Sequence, residues 1–140
     1  MASKSTIHAL SVVSVLTMLT GCSSGTPAPS STVHVLQSGA GDGSGMASEV
    51  AGTLTIGNDG CAGIDGALTV WPSGTSWSDA DDGLRLTSGQ VIRRGAQVSG
   101  TGGQVSPATG RSAVVPADAA SACDWSVAFV VLLNPGSTVF

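Results

Sequence analysis

Short runs of β-branched and aliphatic residues alternate with turn residues along most of this chain, and this pattern constrains the fold most strongly. Turn signals recur at intervals of about 8 to 12 residues, which is typical of a small β-sandwich or barrel. Glycine occurs 20 times among the 140 residues, and small closed barrels use glycine where strands bend or bulge. The pattern therefore predicts an all-β domain.

The alternation of apolar and polar residues also predicts individual strands. In "EVAGTLTIG", the apolar residues Val50, Leu54 and Ile56 share one face, and "NDG" follows as a tight turn. A second strand, "ALTVWP", ends at Pro72, and "GLRLTSGQVIRRGAQVSG" supplies a third and a fourth. The segment Asp124–Leu133 is apolar on both faces and rich in β-branched residues, so we predict it as the central strand.

The N-terminus has the layout of a secretory signal. A start with one cation, Lys4, precedes an apolar run, Ala9–Leu19. The run is about half the roughly 20 residues that a membrane-spanning helix needs, which favours a cleaved signal. It ends in Leu19-Thr20-Gly21-Cys22, which resembles the bacterial lipobox. That resemblance implies diacylglyceryl transfer to the sulfur of Cys22 and cleavage before it.

These features predict three segments: a lipoprotein signal peptide over residues 1–21, a flexible tether over 22–45 and a β-barrel domain over 46–140. The Ser/Pro/Gly-rich tether cannot bury enough apolar surface to fold. Within it, Val33–Leu36 is either a short strand or part of the tether, and we favour the strand. We expect an exported protein that is held at the cell membrane by acyl chains, such as palmitate, on Cys22.

Two cysteines remain once Cys22 carries lipid. An even pair in an exported chain predicts a disulfide between Cys61 and Cys123. Its long loop corresponds to a stabilisation of about 4 kcal/mol in the chain-entropy account. The alternatives are two free thiols or a metal pair, but no histidine lies near either cysteine in the sequence.

The order of features along the chain carries a second resemblance. A glycine-bounded first strand is followed by a cysteine, by "LTVWPSG", by "LTSGQVI" and "GAQVSGTGG", and by a late cysteine before the last strand. This order resembles small OB-like β-barrel domains of bacterial exported lipoproteins, over about Val50 to Val131. It implies a five- to six-stranded barrel closed by one disulfide, and it implies no activity.

Charge narrows the range of partners. The chain after Gly21 carries four arginines and nine acids, a net charge of −5, and no lysine. Phosphate binding needs clustered cations, so nucleic acid is excluded as an expected partner. Attraction to anionic lipid headgroups is excluded on the same ground. We expect a monomer that contacts the membrane through its acyl chains and engages an envelope protein or glycan.

Several catalytic classes lack their essential side chains. The only histidines are His8, in the signal, and His34, in or beside the tether. A Ser-His-Asp triad therefore has no base in the domain, and a histidine-type zinc site is not expected. There is no glycine-rich loop followed by lysine, which excludes a P-loop. We expect no cofactor.

Carboxylates and tryptophans are the remaining candidates. Asp79, Asp81 and Asp82 lie beside a glycine and offer oxygen ligands for calcium, although the simpler interpretation is a solvated loop. Trp71 and Trp77 flank "PSGTS", where they either form a contact site or fill the core. We favour the core for Trp71 and Trp125, and leave Trp77 open between the two.

The function predicted from these residues is a non-enzymatic binding or scaffolding module of the cell envelope. One alternative is a small hydrolase that uses a carboxylate pair drawn from Asp79, Asp81, Asp82 and Asp124. Such an enzyme needs a concave pocket with two carboxylates of perturbed pKa. Another alternative is a small-ligand carrier, which needs barrel space that side chains leave unfilled.

Overall fold

The computed structural model describes residues 32–39 and 46–136. Nine strands and two short helices follow one another in this part of the chain, and the strands are β1 (Leu36–Gln37), β2 (Ser48–Ile56), β3 (Ala62–Ile64), β4 (Ala67–Trp71), β5 (Ser76–Ser78), β6 (Gly83–Arg85), β7 (Val91–Arg93), β8 (Gln97–Val105) and β9 (Val130–Leu133). The helices are α1 (Pro107–Ala113) and a 3₁₀ helix (Ala117–Ala122), both between β8 and β9.

Five of the strands close into a barrel, which confirms the predicted fold class. Neighbouring strands run in the order β4-β3-β2-β8-β9, and a parallel pairing of β4 with β9 closes the ring. The long strand β2 pairs with β8 through its first six residues and with β3 through its last three. This arrangement is that of an OB-like barrel.

Turn chemistry sets the hairpins of the barrel. Asp65 and Gly66 both have positive φ, at 50° and 79°, which is the geometry of the tight turn that joins β3 to β4. The predicted turns also occur: Gly60, Gly89 and Gly95 adopt positive φ at the end of "NDG", "TSG" and "RRG". These turns join β2 to β3, β6 to β7 and β7 to β8.

Two apolar clusters lie on opposite sides of the β4–β9 pair. One fills the barrel with residues such as Leu54, Val98 and Val131, and it includes Trp71, which is 1% exposed. The other packs β4 and β9 against α1 and the 3₁₀ helix, with Val70, Val130 and their neighbours buried. Because alternate residues of β4 and β9 enter different clusters, both faces of these strands are buried.

The three strands β5, β6 and β7 form a separate antiparallel sheet outside the barrel. The sequence pattern predicted strands over 83–100 as part of one barrel, and this prediction is wrong for β6 and β7, which pair with each other in the small sheet. Leu84 and Ile92 are 0% and 2% exposed and join the cluster that fills the barrel. The small sheet therefore contributes to the core through one face without pairing to the barrel strands.

The central strand is shorter than predicted. Only Val130–Leu133 is extended and paired, whereas 124–129 lies outside any strand. Asp124 and Ser126 explain part of this difference, because the carboxylate of Asp124 accepts the backbone N–H of Ser126 and so favours a local turn over a strand ladder. Apolar periodicity alone did not reveal that local hydrogen bond.

The boundary of the tether is also corrected. Leu36 and Gln37 form β1, which pairs in parallel with Val70 and Trp71 of β4. Leu36 and Ser38 are each only 1% exposed. Residues 32–39 therefore belong to the folded domain, as the strand interpretation of this stretch expected, and the predicted tether range of 22–45 extends too far.

The two helices were not predicted. Ser106 caps α1, with its hydroxyl accepting the backbone N–H of Thr109 at 3.2 Å, and Pro107 occupies the first helical turn. A serine before a proline is a recognised helix start. The seven-residue length and the single glycine in α1 kept its periodic signal weak.

Candidate functional site

A cleft of about 500 Å³ lies on the outer face of β2, β3 and β4. The loop Gly57–Cys61 borders one side of the cleft, and Asp124 and Val127 of the segment before β9 border the other. Thr55, Gly63 and Leu68 contribute from the three strands. Gly63 allows β3 to approach β4 closely here, because a Cβ at this position would meet the backbone carbonyl of Ala67.

The predicted disulfide ties the two sides of the cleft together. Cys61 and Cys123 are bonded, with their Cα atoms 5.9 Å apart. Cys61 ends the loop after β2, and Cys123 immediately precedes Asp124. The covalent bond therefore holds the segment before β9 against the loop.

Asp59 reinforces this connection with its carboxylate. Oδ1 accepts the backbone N–H of Cys61 at 3.1 Å, and Oδ2 accepts the backbone N–H of Asp124 at 2.8 Å. The Asp59 side chain thus links the backbone of Cys61, on one side of the cleft, to the backbone of Asp124, next to Cys123 on the other side. The bond to Cys61, two residues on, is the local pattern that aspartate favours in turns.

Asp124 contributes a second carboxylate to the cleft. Its Oδ1 accepts the backbone N–H of Ser126 at 2.8 Å. Hydrogen bonds from the backbone and then the side chain of Ser126 hold the pKa of Asp124 below its ordinary value. The group is therefore ionised at neutral pH, and among the described residues no lysine, arginine or histidine lines the cleft beside it.

The acids predicted as a calcium loop have separate partners. Asp81 pairs with Arg85 at 2.7 Å, Asp82 pairs with Arg94 at 2.9 Å, and Asp79 accepts the indole N–H of Trp77 at 3.1 Å. Within the described ranges, these carboxylates do not form a group that could hold a metal.

One group of metal-type ligands does occur among the residues that the structure describes. It contains Asp59, Cys61 and Cys123, whose ligand atoms lie within 4.8 Å of one another. Both sulfurs are committed to the disulfide. The group therefore acts as a covalent and hydrogen-bonded clamp on the cleft.

The three tryptophans have different environments. Trp71 is 1% exposed and donates its indole N–H to the carbonyl of Ala62 at 3.2 Å, so it is core and has no surface for a contact role. Trp125 is half-buried and donates to the carbonyl of Ala120. Trp77 is half-buried, with the guanidinium of Arg94 5.5 Å from its ring centroid.

Sequence reasoning missed Asp59 as a site residue. "NDG" was interpreted only as a turn, because that sequence pattern does not report where the carboxylate points. Asp124 was named as a candidate acid, but its predicted partners lie elsewhere. The signal that could have connected the two residues is their position: Asp59 lies two residues before one cysteine of the disulfide, and Asp124 lies one residue after the other.

Comparisons of the chain with protein-family models, with curated proteins and with solved structures found no match. No helix in the described ranges is long and apolar enough to cross a membrane. The predicted lipid acceptor, Cys22, lies outside the residues that the structure describes.

Proposed function

We propose that this protein is a lipid-anchored binding module of the cell envelope that holds an oligosaccharide in the cleft on β2, β3 and β4. The observation that carries the proposal is the position of the cleft between the loop after β2 and the segment before β9. OB-like barrels bind oligosaccharides and oligonucleotides on this face, between the corresponding loops.

The charge of the cleft favours a sugar over a nucleic acid. Asp59 and Asp124 line it, and none of the lining residues that the structure describes is cationic. A phosphate backbone would meet two carboxylates there without a compensating charge. The hydroxyl groups of a glycan donate hydrogen bonds. The carboxylates and the side-chain carbonyl oxygen of Asn58 in the cleft can accept them.

The same carboxylates favour binding without cleavage. Glycoside hydrolysis needs one carboxylic acid that donates a proton to the leaving oxygen. The lowered pKa of Asp124 opposes that role. Both oxygens of Asp59 already accept backbone N–H groups, which assigns that side chain to holding the loop.

The anchor belongs to the same proposal. Leu19-Thr20-Gly21-Cys22 supplies the lipobox, and a disulfide is typical of proteins outside the cytoplasm. Because the folded domain already includes Thr32, nine residues lie between it and Cys22. An extended link of that length spans at most about 35 Å, so the proposed cleft stays close to the membrane surface.

A binding experiment tests the cleft. Soluble glycan fragments released from bacterial envelopes are titrated into the full chain with Cys22→Ser, and heat of binding and product release are followed together. We expect saturable binding that Asp124→Asn weakens about three- to tenfold, since one charged acceptor is lost. Asp118→Asn, on the 3₁₀ helix away from the cleft, is the matched control.

Two outcomes would contradict the cleft proposal. Equal binding by the wild type and Asp124→Asn would place the glycan elsewhere. Release of shortened glycan that depends on Asp124 would replace the binding module with the carboxylate hydrolase.

A membrane fractionation experiment tests the anchor separately. Cys22→Ser removes the acyl acceptor, so we expect the protein to leave the detergent phase or to accumulate with its signal uncut. Normal processing and detergent partitioning of this variant would overturn the lipid anchor while leaving the cleft proposal intact.

A protein partner at Trp77 is the second candidate. Trp77 lies on the small sheet, outside the cleft, and its indole is half-buried. The guanidinium of Arg94 lies over the indole ring. Trp77→Ala is expected to leave glycan binding unchanged. Loss of capture of an envelope protein by that variant, with the thermal midpoint preserved, would favour the small sheet as the contact site.

A further inference from the structure

A second cavity, of about 490 Å³, lies at one end of the barrel. All five barrel strands contribute lining residues, and the cavity shares only Ala67 with the cleft described above. We call this second cavity the barrel mouth. Its volume is within the range of small-molecule sites, and the mouths of β-barrels are among the places where such sites occur.

The inner walls of the barrel mouth are apolar. Ile64 and Val131 belong to the cluster that fills the barrel, and Val50 packs against that cluster. Phe129 also lines the cavity and is 39% exposed. It is one of the two large apolar side chains that the described residues leave exposed. An apolar ligand group would bury this surface together with the aliphatic walls.

Two carboxylates lie among the polar lining residues of the mouth. Glu49 and Asp65 are both exposed, and the Oδ1 atom of Asp65 is fixed by the backbone N–H of Thr53 at 2.8 Å. No cationic side chain from the described ranges, 32–39 and 46–136, lines the cavity.

The cations of the domain lie elsewhere. Arg85 and Arg93 belong to the small sheet, Arg94 follows it directly, and Arg111 lies on α1. The two ion pairs found in the described part of the chain use Asp81 and Asp82. The barrel mouth therefore combines aliphatic walls with negative charge that no side chain of the described residues neutralises.

From this combination we infer that the barrel mouth binds an ammonium group carried on an unbranched alkyl chain. The alkyl chain lies against Val50, Ile64 and Val131, and the ammonium group lies near Glu49 and Asp65. Phe129 adds an aromatic surface that attracts a cation. Two sources share this chemistry, a free alkylamine and a lysine side chain of another protein. The inference does not depend on glycan binding in the cleft.

The test compares two ligands that share a hexyl chain and differ in the headgroup, a charged ammonium or a neutral hydroxyl. Hexylamine and hexan-1-ol are titrated into the ¹⁵N-labelled full chain with Cys22→Ser, which leaves every described residue unchanged. We expect hexylamine to bind about three- to tenfold more tightly than hexan-1-ol and to shift the amide signals of Phe129 and Val131. Added salt should reduce this preference, because the carboxylates are exposed.

Two conservative variants test the carboxylates. Glu49→Gln and Asp65→Asn remove charge at similar volume, and asparagine also tolerates the positive φ of residue 65 and keeps an oxygen for the N–H of Thr53. Together they should abolish the preference for hexylamine. Asp118→Asn should leave it unchanged.

A lysine tripeptide with blocked ends, acetyl-Gly-Lys-Gly-amide, distinguishes the two sources. Binding of hexylamine alone identifies a free-amine site, and binding of both hexylamine and the tripeptide identifies a mouth that accepts a lysine side chain.

Equal affinity for hexylamine and hexan-1-ol would overturn the inference. So would a preference for hexylamine that survives the double substitution, or signal shifts confined to Asp124 and the cleft.

Discussion

At the scale of single residues, Asp59 has the widest structural influence on the cleft. Its carboxylate joins two backbone N–H groups whose residues are 63 positions apart, Cys61 and Asp124. The disulfide between Cys61 and Cys123 brings these backbones together, and the carboxylate then sets their spacing. The side chain is therefore a positioning group for the cleft.

Removal of that carboxylate should loosen both sides of the cleft. Asp59→Ala leaves the two N–H groups to water, and we expect the free energy of unfolding to fall by roughly 1 kcal/mol because the site is exposed. Urea denaturation followed by tryptophan fluorescence measures this change. Glu49→Ala, which removes an exposed acid from β2, is the control. A variant as stable as the wild type would show that the disulfide alone holds the loops.

At the scale of elements, β1 decides where the folded domain begins. Its two residues pair with β4, and Leu36 fills the outer cluster beneath α1 and the 3₁₀ helix. A tether has no such buried side chain. The stability of the domain should therefore depend on a residue that precedes the predicted barrel boundary at Met46.

Truncation of this side chain measures the contribution of β1. Leu36→Ala should lower the free energy of unfolding by about 2 to 4 kcal/mol, because Leu36 is 1% exposed and its removal leaves a cavity. Thr32→Ala, at an exposed position, is the matched control and should have little effect. Identical urea midpoints for the two variants would show that residues 32–39 do not contribute to the folded domain and belong to the tether.

The small sheet of β5, β6 and β7 should give the domain part of its pH dependence. The hydroxyl of Ser78 and the guanidinium of Arg85 each donate to Asp81 at 2.7 Å. These bonds, that of Ser78 first, lower the pKa of Asp81 below its ordinary value of 3.8. A lowered pKa in the folded state stabilises the fold above the unfolded-state value, and this contribution is lost as the pH falls through the folded-state value.

Asp81→Asn tests this dependence. We expect the variant to melt at a lower temperature than the wild type at pH 7, where the carboxylate is ionised in both states. The difference should shrink as the pH falls below the ordinary pKa of 3.8 and disappear once the carboxylate is protonated in the folded state as well. Asp118→Asn is the control, since Asp118 forms no ion pair among the described residues. A difference between wild type and Asp81→Asn that is constant with pH would contradict the assignment.

At the scale of the whole molecule, one covalent bond closes a loop over much of the domain. Cys61 and Cys123 are 62 positions apart, and the loop between them includes β3 to β8, α1 and the 3₁₀ helix. Cross-linking a loop of this length removes much of the conformational freedom of the unfolded chain. For a single small domain, that effect is a large share of the net stability.

Replacement of both cysteines tests this contribution. Cys61→Ala with Cys123→Ala should lower the free energy of unfolding by about 4 kcal/mol in the chain-entropy account. Urea denaturation compares the variant with the wild type in the absence of reductant. Alkylation and intact mass provide the control, because the wild type should take up no label at these cysteines before reduction and two labels after it. Uptake of two labels without reductant would rule out the bond in the isolated protein.

The sequence alone determined the fold class, the turns and the disulfide of this protein. Each of these depends on residues close together in the chain or on a simple count. Alternating apolar residues define the faces of β2, glycines mark the turns, and the two cysteines of the described domain have one possible pairing. Features of this kind can be predicted without a structure because residues close together in the chain determine them.

Only the tertiary structure decided where the site lies and which residues belong to it. The core position of Trp71, the separate partners of Asp79, Asp81 and Asp82, and the place of Leu36 in the domain depend on long-range packing. Asp59 and Asp124 meet only because barrel closure and the disulfide bring distant segments together. The physical reason is that hydrogen-bond partners and burial are properties of the assembled surface, which sequence periodicity does not encode.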